Sequence, residues 1–65
     1  MNTDVLTGQW KQLRGKVQQQ WGNLTNDDLD RINGKRTELE GVLQEKYGYS
    51  KDRVSREIDD FLRTL

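Results

Sequence analysis

The chain has no cysteine, no histidine, no proline and no alanine in its 65 residues. Without cysteine there is neither a disulfide nor a thiolate metal site. Without histidine the commonest general base and metal ligand is missing. With no proline, nothing of that kind interrupts a helix. No apolar run approaches the ~18 residues of a membrane span, and no apolar core of a signal peptide opens the chain. The expectation is a soluble, cytoplasmic protein with no cofactor, no metal and no membrane partner. Apolar residues are also scarce, at 31% against 34% charged. That balance lies near the border of disordered compositions. Yet net charge is zero, and two Trp, two Tyr and one Phe supply core material. A single thin-cored domain over residues 1–65 is therefore expected. At this length it hides only about 60% of its unfolded surface, so it loses its fold easily.

What is present is a grid of glycines. Gly8, Gly15 and Gly22 fall seven residues apart, as do Gly34, Gly41 and Gly48, and the second triplet is the first shifted by 26. Leu13 with Leu39, Val17 with Leu43, Gln18 with Gln44 and Trp21 with Tyr47 repeat at the same shift. An internal duplication follows.

Apolar periodicity gives helices and no strands. Leu6, Trp10, Leu13, Val17 and Trp21 form one stripe of a helix over about 4–21, capped at Asn2 or Thr3 and ended by a left-handed Gly22. Thr25-Asn26-Asp27-Asp28 starts a helix over about 26–32, with Leu29 and Ile32 inward and a turn at Asn33-Gly34. One continuous helix from there to Tyr47 is the alternative. A helix over about 35–47 stops at Gly48. Ser50 caps a fourth over about 51–63, striped by Val54, Ile58, Phe61, Leu62 and Leu65. The fold class is all-α: a small four-helix bundle of two crossed hairpins, packed face to face around Trp10, Leu13, Trp21, Leu39, Leu43, Tyr47, Ile58, Phe61 and Leu62. Gly15 and Gly41 lie about 200° from the apolar residue two places earlier, opposite the stripe, where each costs roughly 1 kcal/mol against Ala. Either they admit another backbone to the helix back, or they keep the helices weak.

Chemical motifs are few. Gly8 to Lys16 has the wrong spacing for a phosphate loop, with Val17 where Ser or Thr is required. Counted from Asp27, a calcium loop needs Gly at its sixth position and Glu at its twelfth, where Ile32 and Glu38 stand. Asp27, Asp28 and Asp30 are better read as helix N-terminal carboxylates. Asp59 and Asp60 are adjacent and point apart on a helix. Trp10 and Trp21 are candidate base-stacking platforms, but they share the core stripe. No nucleophile–base pair supports an enzyme. The turn at Gly34-Lys35-Arg36 resembles a helix-hairpin-helix turn, making Lys35 and Arg36 the candidate contacts to nucleic acid or a protein partner. Residues 1–25 carry a net of +2 and residues 26–40 a net of −2, too mild for a nucleic-acid footprint.

Trp10-Lys11-Gln12-Leu13-Arg14-Gly15-Lys16-Val17, Trp21-Gly22-Asn23-Leu24-Thr25-Asn26-Asp27-Asp28, Ile32-Asn33-Gly34-Lys35-Arg36, Leu39 with Gly41, and Tyr47-Gly48-Tyr49 together resemble the CsbD-like family of bacterial general stress proteins. The match runs over nearly the whole chain. It departs at Gln18-Gln19-Gln20, where lysine-richer members have a more basic first helix. The resemblance implies a small cytoplasmic protein abundant under osmotic, stationary-phase or general stress, and a monomer is expected. Its implied outline is similar to sterile-alpha-motif-like folds, it overlaps the hydrophilins, and it brings no catalytic residues. A non-enzymatic protectant under water deficit is the function expected; a small binding module acting through the Gly34-Lys35-Arg36 turn is the alternative.

Overall fold

The computed structural model describes residues 3–65, and five helices make up their regular structure: α1 (Thr3–Gly8), α2 (Trp10–Gln20), α3 (Asn26–Ile32), α4 (Arg36–Tyr47) and α5 (Lys51–Arg63). The all-α expectation holds, and no strand occurs among the described residues. The count of four does not hold, because the helix expected over 4–21 divides at Gln9. That residue leaves helical geometry at φ −118°, ψ 23°. Its carbonyl then starts α2, accepting from Gln12 N at 3.0 Å and Leu13 N at 2.9 Å. The cap expected at Asn2 or Thr3 rests on side chains outside those described.

The division has a physical cause in the turn between α3 and α4. Asn33 adopts the left-handed conformation (φ 46°, ψ 41°) and Gly34 follows at φ 80°. Two left-handed residues in succession end α3 and rule out the continuous helix to Tyr47. Gly34 is buried. A Cβ on it would lie 3.1 Å from Leu6 O, from Thr7 Cα and from Trp10 Cβ. The α1–α2 corner therefore wraps around the turn, and Thr7 Oγ1 donates to Gly34 O at 2.9 Å. A straight helix would carry Leu6 and Trp10 on one line; the corner lets them straddle Gly34 and brings α1 against α4.

The other helix ends follow local chemistry. Thr25 and Asp28 form a capping box: Asp28 N donates to Thr25 Oγ1 at 3.2 Å and Thr25 N to Asp28 Oδ2 at 2.9 Å. Leu24 and Leu29 flank the cap and are both buried, the placement of a hydrophobic staple. Ser50 Oγ accepts from Arg53 N to cap α5. Gly48 ends α4 in the left-handed region at φ 69°, as expected. Gly22 does not do this for α2. Only Gly34 and Gly48 have positive φ among the glycines. Instead, Trp21 leaves the helix at φ −125°, ψ 87°, and a turn closes where Leu24 N donates to Trp21 O at 3.1 Å. Gln18 Nε2 holds the same turn through Leu24 O.

Helix α4 is central: α1, α3 and α5 all pack on it. The core is one continuous cluster containing every core residue expected from the stripes except Tyr47, which is half-buried against its edge. Leu6, Val17, Leu24, Leu29, Ile32, Val42 and Val54 join it. Among the described residues, every apolar side chain except Leu65 is buried or packed on this cluster. The radius of gyration, 10.5 Å, is close to the roughly 10.7 Å of a compact chain of this length.

Gly15 and Gly41 are exposed, and a Cβ on either would meet nothing within 4 Å. The close approach of another backbone within the molecule is thus excluded at both. Gly15→Ala and Gly41→Ala are each expected to raise unfolding free energy by roughly 0.5–1 kcal/mol in urea titrations. Gly34→Ala is expected to lower it by about 2 kcal/mol or more, because left-handed strain adds to contacts with unyielding backbone atoms. A neutral Gly34→Ala would refute the role given to that contact.

Candidate functional site

The turn at Gly34-Lys35-Arg36 is the site that sequence reasoning singled out, and its three residues have different surroundings. Gly34 is sealed under the α1–α2 corner. Lys35 is the N-cap of α4, exposed, and without an ion-pair partner among the described residues. Arg36 is half-buried and turned inward. Its Nε donates to Glu40 Oε2 at 3.2 Å, its Nη1 pairs with Asp59 Oδ1 at 2.8 Å, and its Nη2 donates to Ser55 O and Oγ at 3.2 Å. Burial works against its charge, but Asp59 and Glu40 outweigh that and raise its pKa. Arg36 thus clamps α4 to α5. The i,i+4 spacing to Glu40 was visible in the sequence; the reach to α5 was not.

A second chain of polar contacts ties the ends of α2, α4 and α5. Trp21 Nε1 donates to Glu57 Oε1 at 3.0 Å, and Arg53 Nε donates to Glu57 Oε2 at 3.1 Å. The Arg53 guanidinium lies 3.8 Å over the Tyr49 ring, which stacks on Tyr47 at 5.1 Å between centroids. Tyr47 Oη then accepts from Asn23 N at 3.0 Å. Trp21 also packs on Phe61 at 5.2 Å. Trp21 and Tyr47, related by the 26-residue shift, have different surroundings: one buried with its N–H on a carboxylate, the other half-exposed in an aromatic stack. Tyr49 is engaged by both Arg53 and Tyr47, and Trp10 and Trp21 are buried, so these rings serve packing.

Several acidic residues are similarly engaged, though Asp27 is not among them. Asp28, only 8% exposed, serves the capping box and pairs with Lys46 Nζ at 3.1 Å. Asp30 pairs with Arg14, Asp59 with Arg36, and Asp60 with Arg63. Among the described residues no group of acidic side chains is arranged to hold a metal ion. An open groove is lined by Gln20, Glu57, Asp60, Phe61 and Thr64. Its Glu57 is held ionised by the Trp21 N–H, then by Arg53, below the ordinary carboxylate value. A carboxylate so held is a poor base near neutral pH. No helix among the described residues is long and apolar enough to cross a membrane.

The chain belongs to the CsbD-like family, whose model matches residues 4–56. It is 52% identical over 61 residues to the UPF0337 protein YjbJ of Escherichia coli, covering 94% of this chain and 88% of that protein. It is equally identical to the UPF0337 protein PA4738 of Pseudomonas aeruginosa, covering 94% of each. Identity to the UPF0337 protein RPA4217 of Rhodopseudomonas palustris is 52% over 65 residues, 100% of this chain and 98% of the other. No solved structure matches.

The carboxylate contacts predict an acid response. The Asp28 pKa is lowered by the Thr25 backbone N–H and by Lys46 against the opposing effect of burial, and the Glu57 pKa is lowered by Trp21 and Arg53. Both groups are more acidic folded than unfolded. Their stabilisation is complete above the ordinary values, 3.8 for Asp28 and 4.5 for Glu57, and is lost as pH falls through the folded values. The urea midpoint of the Asp28→Asn/Glu57→Gln double variant is expected to fall less between neutral pH and pH ~3 than that of the parent. An equal fall in both proteins would remove these two carboxylates from the explanation.

Proposed function

We propose that the protein is a non-enzymatic bacterial general stress protein that protects other macromolecules under osmotic or water-deficit stress, acting in the cytoplasm as a monomer. The supporting observation is the composition of its surface. Exposed Gly8, Gly15 and Gly41 stand in open space where Ala would fit without contact. The helices therefore forgo stability on the solvent side. Leu65 is the one large apolar side chain exposed among the described residues. The rest of the described surface interleaves both signs of charge with Gln, Asn and Thr, leaving no apolar patch among the described residues to drive association. Such a surface stays hydrated at high concentration and offers hydrogen bonds to neighbouring macromolecules as bulk water is withdrawn. The buried Trp10 Nε1, without a hydrogen-bond partner among the described residues, further limits stability. As an architecture this reading keeps one domain of two crossed hairpins in a sterile-alpha-motif-like outline, supported by the packing of α4 on α5 and the Arg14–Asp30 pair between α2 and α3.

The binding-module reading, with a nucleic-acid or protein partner at the Gly34-Lys35-Arg36 turn, draws on Lys35 at the N-terminus of α4, exposed and without an ion-pair partner among the described residues. Arg36 adds little to it, since its donors already face Glu40, Asp59 and Ser55. The two readings part in one pair of assays on the parent and Lys35→Gln. A labile enzyme dried with increasing amounts of either protein is expected to retain activity in the same dose-dependent way. Lys35→Gln leaves protection intact because hydration is spread over the surface. Absence of protection at every dose, with a DNA complex whose salt slope shrinks by about one unit in Lys35→Gln, would replace the protectant by the binding module.

A further inference from the structure

We infer that Asn33–Gly34 is a self-modification site, at which the Asn33 side-chain amide is converted to aspartate and isoaspartate at a rate gated by docking of the α1–α2 corner. The reaction needs only water. The Gly34 backbone nitrogen loses its proton to solvent base and attacks Asn33 Cγ, and the side-chain nitrogen departs as ammonia. This closes a five-membered succinimide. Water then adds to either imide carbonyl and opens the ring to aspartate or isoaspartate. A following glycine suits this step because no Cβ obstructs the attacking nitrogen. Asn33 is exposed, and the Gly34 N–H has no hydrogen-bond partner among the described residues.

The folded turn opposes ring closure. Bringing the Gly34 nitrogen onto Asn33 Cγ requires rotation about ψ of Asn33, which carries Gly34 with it. Gly34 is buried under the α1–α2 corner, where Leu6 O, Thr7 Cα and Trp10 Cβ leave no room even for a Cβ and Thr7 Oγ1 holds its carbonyl, so it cannot follow. Asn33 N on Leu29 O and Lys35 N on Ile32 O fix the turn from both sides. Release of the α1–α2 corner uncovers Gly34 and frees the rotation. The rate then follows the population of that opened form. The change is one-way. Isoaspartate puts an extra carbon into the main chain of a turn with no slack, and either product adds a negative charge at the negative end of α3. A molecule that has stayed open is thereby chemically marked and impaired in redocking.

The test follows isoaspartate in the full chain at mildly alkaline pH by mass spectrometry and by methyl transfer from labelled S-adenosylmethionine with an isoaspartyl methyltransferase. The expected result is rapid formation in urea, formation at least about tenfold slower in the native protein, and roughly fivefold acceleration of the native rate in Thr7→Val, which loses one hydrogen bond. Asn33→Gln is expected to remove the signal. If Thr7→Val fails to fold, the parent in urea below its unfolding transition carries the test, since its rate rises with urea under gating. Equal native and urea rates, a native rate unmoved by Thr7→Val or by low urea, or no isoaspartate in urea would each overturn the proposal.

Discussion

The arrangement depends on one missing Cβ. Gly34 sits where the α3–α4 turn meets the α1–α2 corner, and any larger residue would strike the Leu6 carbonyl, the Thr7 backbone and the Trp10 side chain together. Its conformation, φ 80°, is equally closed to most side chains. From that contact follow the break at Gln9, the seating of α1 on α4 and the complete burial of Leu6. In a chain this short of apolar residues, losing one helix from the core would remove a large share of what holds it.

Charge completes what the thin core leaves undone. Arg36 joins α4 to α5, Asp28 joins the start of α3 to α4 through Lys46, and Glu57 joins α5 to Trp21 at the end of α2. Each is at least partly shielded on one side and bonded by more than one partner, unlike the exposed Arg31 contacts to Glu38 and Glu45 near 4 Å, which are worth little. The groups that look chemically interesting in the sequence are mostly these structural ties. An arginine beside a turn glycine reads as a ligand contact until its donors are found facing Glu40, Asp59 and Ser55.

Where local chemistry decided the outcome, the sequence was legible. Thr25, Asn33-Gly34, Gly48 and Ser50 each set a helix boundary by a cap or a left-handed residue, and the apolar stripes named most of the core. What escaped was decided by contacts distant in the chain. Nothing local marks Gln9 as a corner; Gly34, 25 residues later, makes it one. Gly22 shares the spacing of Gly48 but not its conformation, because the Trp21–Leu24 turn, held by Gln18, ends α2 instead. Leu24 reads as loop and is core, since it staples the start of α3. The duplication was legible as a repeat of letters, yet Gly8 is open to solvent where its counterpart Gly34 is the tightest spot in the molecule. For the candidate site, the sequence located Lys35 and Arg36 but could not show that Arg36 faces inward, because its partners lie on another helix.

The two kinds of glycine place stability unevenly. At Gly15 and Gly41 the helices are weak on faces where nothing but water would notice a methyl group. At Gly34 the chain is intolerant, and that position joins four helices, α1 to α4. Weak helices with a demanding junction give a fold whose parts have little stability alone and depend on being docked. Loss of the junction then exposes the apolar faces of α1 and α4 together, and the helices have little propensity to persist without it. For a protein proposed to act through a hydrated surface, such a fold keeps the scarce apolar residues hidden while water is plentiful. It also commits little free energy to rigidity, so the backbone becomes available to neighbouring surfaces when water is withdrawn.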